Sequence, residues 1–498
     1  VATTRRALTR EPLLRSPGGE AAAVVHLTAE YLPYARTGGL AEAVAGLAAQ
    51  HAATGLSTTV IMPYYRLAWE RAPETAEPGE WFTVRVGHRD EPARLHCTTT
   101  RAGRARMVFV EHPGYFDRAG IYGEGGGDYA DNSRRFAFLS AAALQVLPLL
   151  GDGPLVLHAH DWHTALAPVY LRVGNTRRAL AQVATVLSVH NAGYQGHYPF
   201  EVLADLGLPA ELWHWSRLEW YGKANLLKGG LVSSNLVTTV SPTHAHELRT
   251  DAGGFGLHDT FIALGNRLVG ILNGIDPVAW NPATDRFLEA RYSAEDLTGK
   301  AACKDALQRG WGLEPRVDVP LFGMSARMVE QKGFDLVLAS DAVAGSSAQF
   351  VFLGTGEPRY EDALRRLAAG ASGRVAVETG FSDRREHELL AGADFLMMPS
   401  LYEPCGLTQM RAQRYGALPV ARRVGGLADT IEDQQTGFLF DEYAGAALDV
   451  ALRRAASLFE DGAALQTHRR EAMGRDFSWA RSAEKYLDVY RRALSSRP

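Results

Sequence analysis

Short runs that are apolar, or apolar but for Ser, Thr or His, recur along the chain at 22–27, 57–62, 155–157, 183–189, 236–240, 321–324, 350–353, 375–377 and 395–398. Most end at a turn residue such as Gly, Pro, Ser or Asn. Apolar character at consecutive rather than alternate positions predicts strands of a parallel sheet covered on both faces. Helical stretches lie between them, at 40–53, 164–172, 294–309 and 480–494. Strand, turn and helix in repeated succession predict an α/β fold built from βαβ units. One region departs from this. Residues 81–111 alternate apolar and polar positions, which predicts a meander of half-buried strands.

A chain of 498 residues is long enough for two or three cores, so at least two domains are expected. A turn-rich run at 270–282 separates a finished α/β half from a fresh one. It divides the chain into an N-terminal Rossmann-like domain, 22–272, and a C-terminal one, 273–479. Residues 1–21 carry arginines but no apolar signal-type centre and are expected to be a disordered leader. Apolar residues make up 46% and charged residues 22%, with a net charge of −4 and both signs interspersed. Neither nucleic acid nor an anionic membrane is recommended as a partner by that balance. Three widely separated cysteines and no CxxC predict a reducing, cytoplasmic setting without a disulfide framework or structural zinc.

Candidate chemistry gathers at strand ends. The strand 395–398 runs into Glu403-Pro404-Cys405-Gly406, a glycine turn that leaves amide groups free at the start of a helix, as an anion requires. Gly425-Gly426 opens another helix in the same way. Gly38-Gly39 follows the first strand and lets a ligand approach the backbone. Arg327 and Lys332 follow the strand 321–324; alone, such a pair describes a solvated helix face equally well. His158, His160, Asp161 and His163 form the densest set of metal-ligand residue types, and alternating His158 and His160 share one face of a strand. Gly354-Thr355-Gly356 lacks a third glycine, because Arg359 stands where a dinucleotide fingerprint needs one.

The strings PSLYEPCGLTQ, RYGALPV and GGLADT, together with ARTGGL, HAHDWH, HNAGYQG and SARMVEQKG, closely resemble the motifs of the bacterial glycogen synthase and plant starch synthase family, glycosyltransferase family 5. The resemblance runs in register over residues 23–494. It implies a GT-B fold, two Rossmann-like doubly wound domains facing a deep cleft, with the last helix returning to the N-terminal domain. It also implies a retaining glucosyltransferase that moves glucose from a nucleotide sugar, ADP-glucose above all, to the non-reducing 4-OH of an α-1,4-glucan. By this resemblance Arg327 and Lys332 meet the leaving diphosphate, Glu403 holds the sugar and steadies charge, and His163 positions the sugar. Arg36, Gly38, Gly39, Asn273, Gly354, Gly380, Phe381, Cys405, Gly406, Leu407 and Thr408 belong to the donor site; Asp131, Asn132, Asn191, Tyr194 and Gln195 belong to the acceptor side. No metal and no cofactor is implied, the nucleotide sugar being a substrate; an oligomer is compatible.

Two positions depart from the family pattern. Arg36 stands where Lys is usual, and Arg411 stands eight residues after Glu403, where an aromatic or a second carboxylate lies near the ribose. A planar guanidinium and a point charge are not interchangeable, so the nucleotide is left open. Two further functions therefore stay open: a relative in secondary metabolism that uses another nucleotide sugar or a cyclitol donor with a small oligosaccharide, and a non-catalytic glycan-binding relative.

Overall fold

The computed structural model describes residues 13–71, 76–100, 105–174, 180, 182–380 and 382–496, and the chain divides into two compact units. Unit 1 comprises 1–239, 248–271 and 479–498; unit 2 comprises 240–247 and 272–478. The strands are, in chain order, β1 (Ala23–Leu27), β2 (Thr58–Pro63), β3 (Glu77–Val86), β4 (Arg89–Thr99), β5 (Arg106–Glu111), β6 (Gly123–Glu124), β7 (Gly127–Asp128), β8 (Leu155–His160), β9 (Val183–Val189), β10 (His197–Tyr198), β11 (Glu219–Trp220), β12 (Lys223–Asn225), β13 (Leu236–Thr239), β14 (Leu268–Gly270), β15 (Leu321–Ser325), β16 (Gln349–Gly354), β17 (Val375–Thr379), β18 (Phe395–Met398), β19 (Leu418–Arg422) and β20 (Phe438–Phe440). The continuous apolar runs are the parallel strands, and the alternating region is the antiparallel pair β3–β4 joined to β5.

Unit 1 is built on a nine-stranded sheet of order β14-β13-β9-β8-β1-β2-β5-β4-β3. Its seven parallel strands change winding direction between β1 and β8. Unit 2 carries a six-stranded parallel sheet, β17-β16-β15-β18-β19-β20, which reverses between β15 and β18. In sheets wound this way, ligands bind beyond the carboxyl ends of the strands at the reversal. Every strand-end candidate chosen from the sequence can therefore be checked against two specific places.

Three expectations change. Residues 13–21 are not a disordered leader: Leu14 is fully buried with Ala22 and Tyr490, its carbonyl accepts from Ala22 N at 2.9 Å, and Arg15 bridges Ala21; residues 1–12 lie outside the described part. Residues 240–247 leave the N-terminal domain for unit 2. Their helix Pro242–Glu247 is fastened by Thr243, which donates to Asp429 through its amide (3.0 Å) and its hydroxyl (2.7 Å). The helix expected at 294–309 is Thr298–Gly310, because Asp296 accepts from the Thr298 amide at 3.0 Å and from its hydroxyl, making a local turn that delays the helix. The last helix, Trp479–Ser495, belongs to unit 1 and buries Trp479, Ala483, Tyr486 and Tyr490 along one face. Trp479 needs Gly46 beneath it: a Cβ there would lie 2.0 Å from the indole nitrogen.

Candidate active site

At the reversal in unit 2, β15 and β18 run side by side and end in two loops. The β15 loop carries Arg327 and Lys332; the β18 loop carries Glu403. The Lys332 ammonium donates to Glu403 Oε2 at 2.5 Å, and Ser400 Oγ donates to the same oxygen at 3.1 Å. Glu403 is buried and Lys332 half-buried, so the pair is shielded and a salt-bridge geometry this short is held firmly. Arg327, in the same loop as Lys332, is exposed and meets no carboxylate among the described residues. The same loop also carries exposed Glu330, whose carboxylate lies 3.7 Å from Arg359. Gly333, which lets the β15 loop turn at φ 76°, is forced by packing, since a Cβ would lie 2.0 Å from Pro399 O.

The glycine turns around this edge differ in kind. Gly354 ends β16 at φ 154°, with Ala326 O only 1.9 Å from where a Cβ would be, and Gly380 N donates to Gly354 O at 2.9 Å. These two glycines are required by the fold itself. Phe381 lies outside the described residues. Gly406 turns at φ 69° above Gln409, whose amide donates to Cys405 O (2.9 Å) and Gly406 O (3.0 Å) and so fixes the turn before Leu407 and the helix Thr408–Arg414. The Cys405 thiol is held by the backbone of Asn273, and burial pushes it up to about 12, so it stays protonated. The second helix start, Gly425–Thr430, is not open to an anion as expected. Glu247 Oε1 accepts from Gly425 N at 2.8 Å, and Glu403 O accepts from Gly426 N at 3.1 Å, so the protein's own oxygens fill it. Arg411 is likewise withdrawn. It is 4% exposed, ion-paired to buried Glu386 at 3.0 Å, and its guanidinium lies 4.1 Å from the Trp280 ring centroid, where it is spent on packing rather than held out toward a ribose.

At the reversal in unit 1, Gly38-Gly39 follows β1 and His163 follows β8. Glu30, which the sequence reading passed over, organises both. Its carboxylate accepts from Thr37 N and Thr37 Oγ1 at 2.6 Å, from Gly38 N at 3.3 Å and from the Tyr122 hydroxyl at 2.6 Å. The Gly38 amide is thereby used internally, and the helix begins at Gly39. A Cβ on Gly38 or Gly39 would touch nothing within 4 Å, so the fold does not demand glycine there. Half-buried Arg36 precedes them. Tyr122 stacks on His163 at 4.5 Å, with Trp162 and Phe136 on its other sides at 4.3 and 4.8 Å. Burial, helped by Arg135, lowers the imidazole to about 3, so His163 is a neutral ring at physiological pH. Asp161, weighed in the sequence only as a metal-ligand type, sits at φ 57° and accepts from His190 N at 2.7 Å and Asn191 N at 3.4 Å, linking the β8 and β9 loops. Burial pushes its carboxyl up to about 7.

The acceptor-side candidates divide. Tyr194 is 55% exposed, and half-buried Asn191 accepts from Gly193 N through its Oδ1 at 2.9 Å. Gln195 is buried and saturated: its amide donates to Ala192 O and Phe255 O, and its oxygen accepts from Asn225. Asp131 is locked to Arg118 by two bonds of 2.7 and 2.6 Å, and Asn132 binds Tyr122 O and Arg135. These three shape loops. His158 and His160 stand in the core beside His26, with ring nitrogens within 4.8 Å of one another. Tyr490 and Ser188 occupy both nitrogens of His158, and His26 and His190 occupy both of His160, at 2.7–3.1 Å. His158 and His160 are thus engaged within the protein, while His26 Nε2 is buried without a hydrogen-bond partner among the described residues.

Residues 23–263 match the starch synthase catalytic domain, and residues 311–471 match glycosyl transferases group 1. The chain is 44% identical to the glycogen synthase of Anaeromyxobacter sp. over 94% of its own length and 98% of that protein, and 37% identical to that of Thermodesulfovibrio yellowstonii over 95% and 98%. The catalytic domain of starch synthase IV from Arabidopsis thaliana, solved bound to ADP and acarbose, superposes with a TM-score of 0.86 at 33% identity, covering 95% of this chain and 99% of that one.

Proposed function

Because the chain belongs to the glycogen synthase and starch synthase family and is a glycosyltransferase of the GT-B class, we propose that it transfers glucose from ADP-glucose to the non-reducing 4-OH of an α-1,4-glucan. The observation that carries the residue-level reading is the Lys332–Glu403 contact at the β15/β18 reversal, with Arg327 in the same loop as Lys332. A departing nucleoside diphosphate develops negative charge, and fixed cations lower that barrier because they need no reorganisation at the moment of reaction. Arg327 and Lys332 take that role, with Lys332 held in place by Glu403. Glu403 also grips the hexose and steadies the oxocarbenium-like state. The acceptor hydroxyl attacks from the face the leaving phosphate vacates and passes its proton to that phosphate, so that configuration is retained without a covalent sugar on Glu403.

In unit 1, His163 acts as a neutral hydrogen-bond donor to the sugar, and Glu30 and Tyr122 position it. Gly38 and Gly39 fit a ligand's approach, since a Cβ there would meet nothing within 4 Å among the described residues. Arg36 supplies charge in the same loop. Asn191 and Tyr194 contact the acceptor, while Gln195, Asp131 and Asn132 hold the loops that present them. The ADP in the starch synthase IV structure, at 33% identity, supports an adenine nucleotide, and withdrawal of Arg411 removes one reason to expect another. No helix among the described residues is long and apolar enough to cross a membrane. Incubating the enzyme with ADP-, UDP- and GDP-glucose against glycogen and maltose tests the reading. Glucan elongation is expected to be fastest with ADP-glucose; transfer only to small acceptors, or only from another donor, would support the secondary-metabolism alternative instead.

A further inference from the structure

β10, β12 and β11 form a small antiparallel sheet in unit 1, and β11 and β12 are joined by the two-residue loop Tyr221-Gly222. Both loop residues have positive φ, 47° and 74°, the type I′ pattern, which favours Asn-Gly because the first position is left-handed. A tyrosine there is an outlier: an aromatic side chain in a conformation that costs it free energy. Nor does the side chain recover that cost by burial, since Tyr221 is 79% exposed. The turn is otherwise well made, with Gly222 N donating to Glu219 Oε1 at 2.8 Å. Beyond its edge contact with Trp220, an exposed ring on strained backbone points to a role outside the fold.

The ring is connected to the acceptor side through a short series of contacts. Tyr221 meets Trp220 edge to face at 4.9 Å, and Trp220 stacks on His197 at 4.3 Å, nearly parallel. His197 Nε2 lies 3.1 Å from Gln195 Oε1, in the loop that carries Asn191 and Tyr194. Trp220 is anchored by donation to Gly256 O at 2.8 Å, and Asn225 Nδ2 donates to Gln195 at 2.6 Å, so the hairpin is fixed to that loop. A pyranose ring offers an apolar C–H face rimmed by hydroxyls, which matches an exposed aromatic face with a polar tip. The geometry points to Tyr221 as a stacking subsite for the α-glucan acceptor, continuing the Tyr194 region outward along the hairpin. This inference rests on the glucan-acceptor reading above, and the continuity through Gln195 is what selects a glucan over a protein partner.

Tyr221→Asn separates the two explanations for this residue, because asparagine suits the turn and removes only the ring. Three quantities decide: binding of maltoheptaose by titration, KM for maltoheptaose in the transfer reaction, and the melting temperature. The expected result is a five- to tenfold weaker binding and a correspondingly higher KM, roughly what the loss of one aromatic contact gives. kcat and the KM for the nucleotide sugar stay unchanged, and the melting temperature is equal or higher. A wild-type enzyme that elongates maltoheptaose while Tyr221→Asn binds it within twofold as well overturns the subsite and leaves the enzyme reading intact. A change of oligomeric state with unaltered glucan binding overturns it too, in favour of a protein interface. If the wild-type protein neither binds nor elongates maltoheptaose, both readings fall together.

Discussion

The two sheet reversals are built alike and charged differently. In unit 2 the loops after β15 and β18 hold permanent charge: Arg327 exposed, and Lys332 and Glu403 in contact at 2.5 Å. In unit 1 the loop after β1 carries Glu30 and Arg36, but burial disfavours charge on the groups within and after β8 and β9 and on His26 in β1. Burial lowers His163 to about 3 and His190 to about 4, lowers His26, His158 and His160 well below the usual histidine range, and raises Asp161 to about 7. The same topology thus carries fixed charge at one reversal and largely neutral, hydrogen-bonding groups at the other, which is why the proposal assigns the diphosphate to unit 2 and the sugar to unit 1. What topology decides is the location; the residues after each strand decide the chemistry.

That contrast can be broken at its charged end first. Glu403→Ala is expected to lower kcat about a thousandfold while changing ADP affinity less than about fivefold, because its contacts matter most as charge develops. Equal losses in both, seen by steady-state kinetics and ADP titration, would assign Glu403 to binding alone. Next come the glycines. Gly354→Ala places a Cβ 1.9 Å from Ala326 O and is expected to destabilise by about 2–3 kcal/mol in denaturant unfolding, whereas Gly38→Ala should stay within about 0.5 kcal/mol and weaken donor affinity instead. A stability loss at Gly38 would make it a packing glycine.

The neutral end is sharpened by pH. Six buried histidines of unit 1, His26, His51, His158, His160, His163 and His190, titrate lower when folded than unfolded, His51 and His190 at about 4 and His163 at about 3. Between those values and about 6.5 the unfolded chain binds more protons, so their contribution is complete above 6.5 and is lost as pH falls. Asp161 works the other way: its folded value of about 7 exceeds the unfolded one, and its contribution is lost as pH rises from about 4 to 7. Several histidines against one carboxyl predict a net loss of at least ~1.4 kcal/mol per pH unit below pH 6. Melting scans from pH 7 to 5 check it; a flat profile would mean the rings are solvated. The smallest effect concerns Glu30→Gln. Loss of the charged acceptor for Thr37, Gly38 and Tyr122 should lower kcat/KM about tenfold with the melting temperature little changed. Wild-type kinetics in that variant would remove Glu30 from the site.

Much of this was readable in the chain because the signals are local. Continuous apolar runs gave the parallel strands, and glycine turns directly after them marked both reversals. The misses are long-range. Glu247 fills the helix start at Gly425 from 178 residues away, and Arg411 is withdrawn by Glu386 and Trp280, neither of which is near it in the chain. Glu30 carries no local signal, because its partner Tyr122 is 92 residues distant. Leu14 carried no pattern of its own; its burial depends on the last helix. Asp161 and Tyr221 hold positive φ that no composition signals.

The central claim is that the β15/β18 edge receives the diphosphate. Titrating ADP and adenosine into the wild-type protein, Arg327→Ala and Lys332→Ala tests it most directly. The account predicts that each substitution weakens ADP at least tenfold and leaves adenosine affinity unchanged. ADP affinity unaltered in both variants would contradict it.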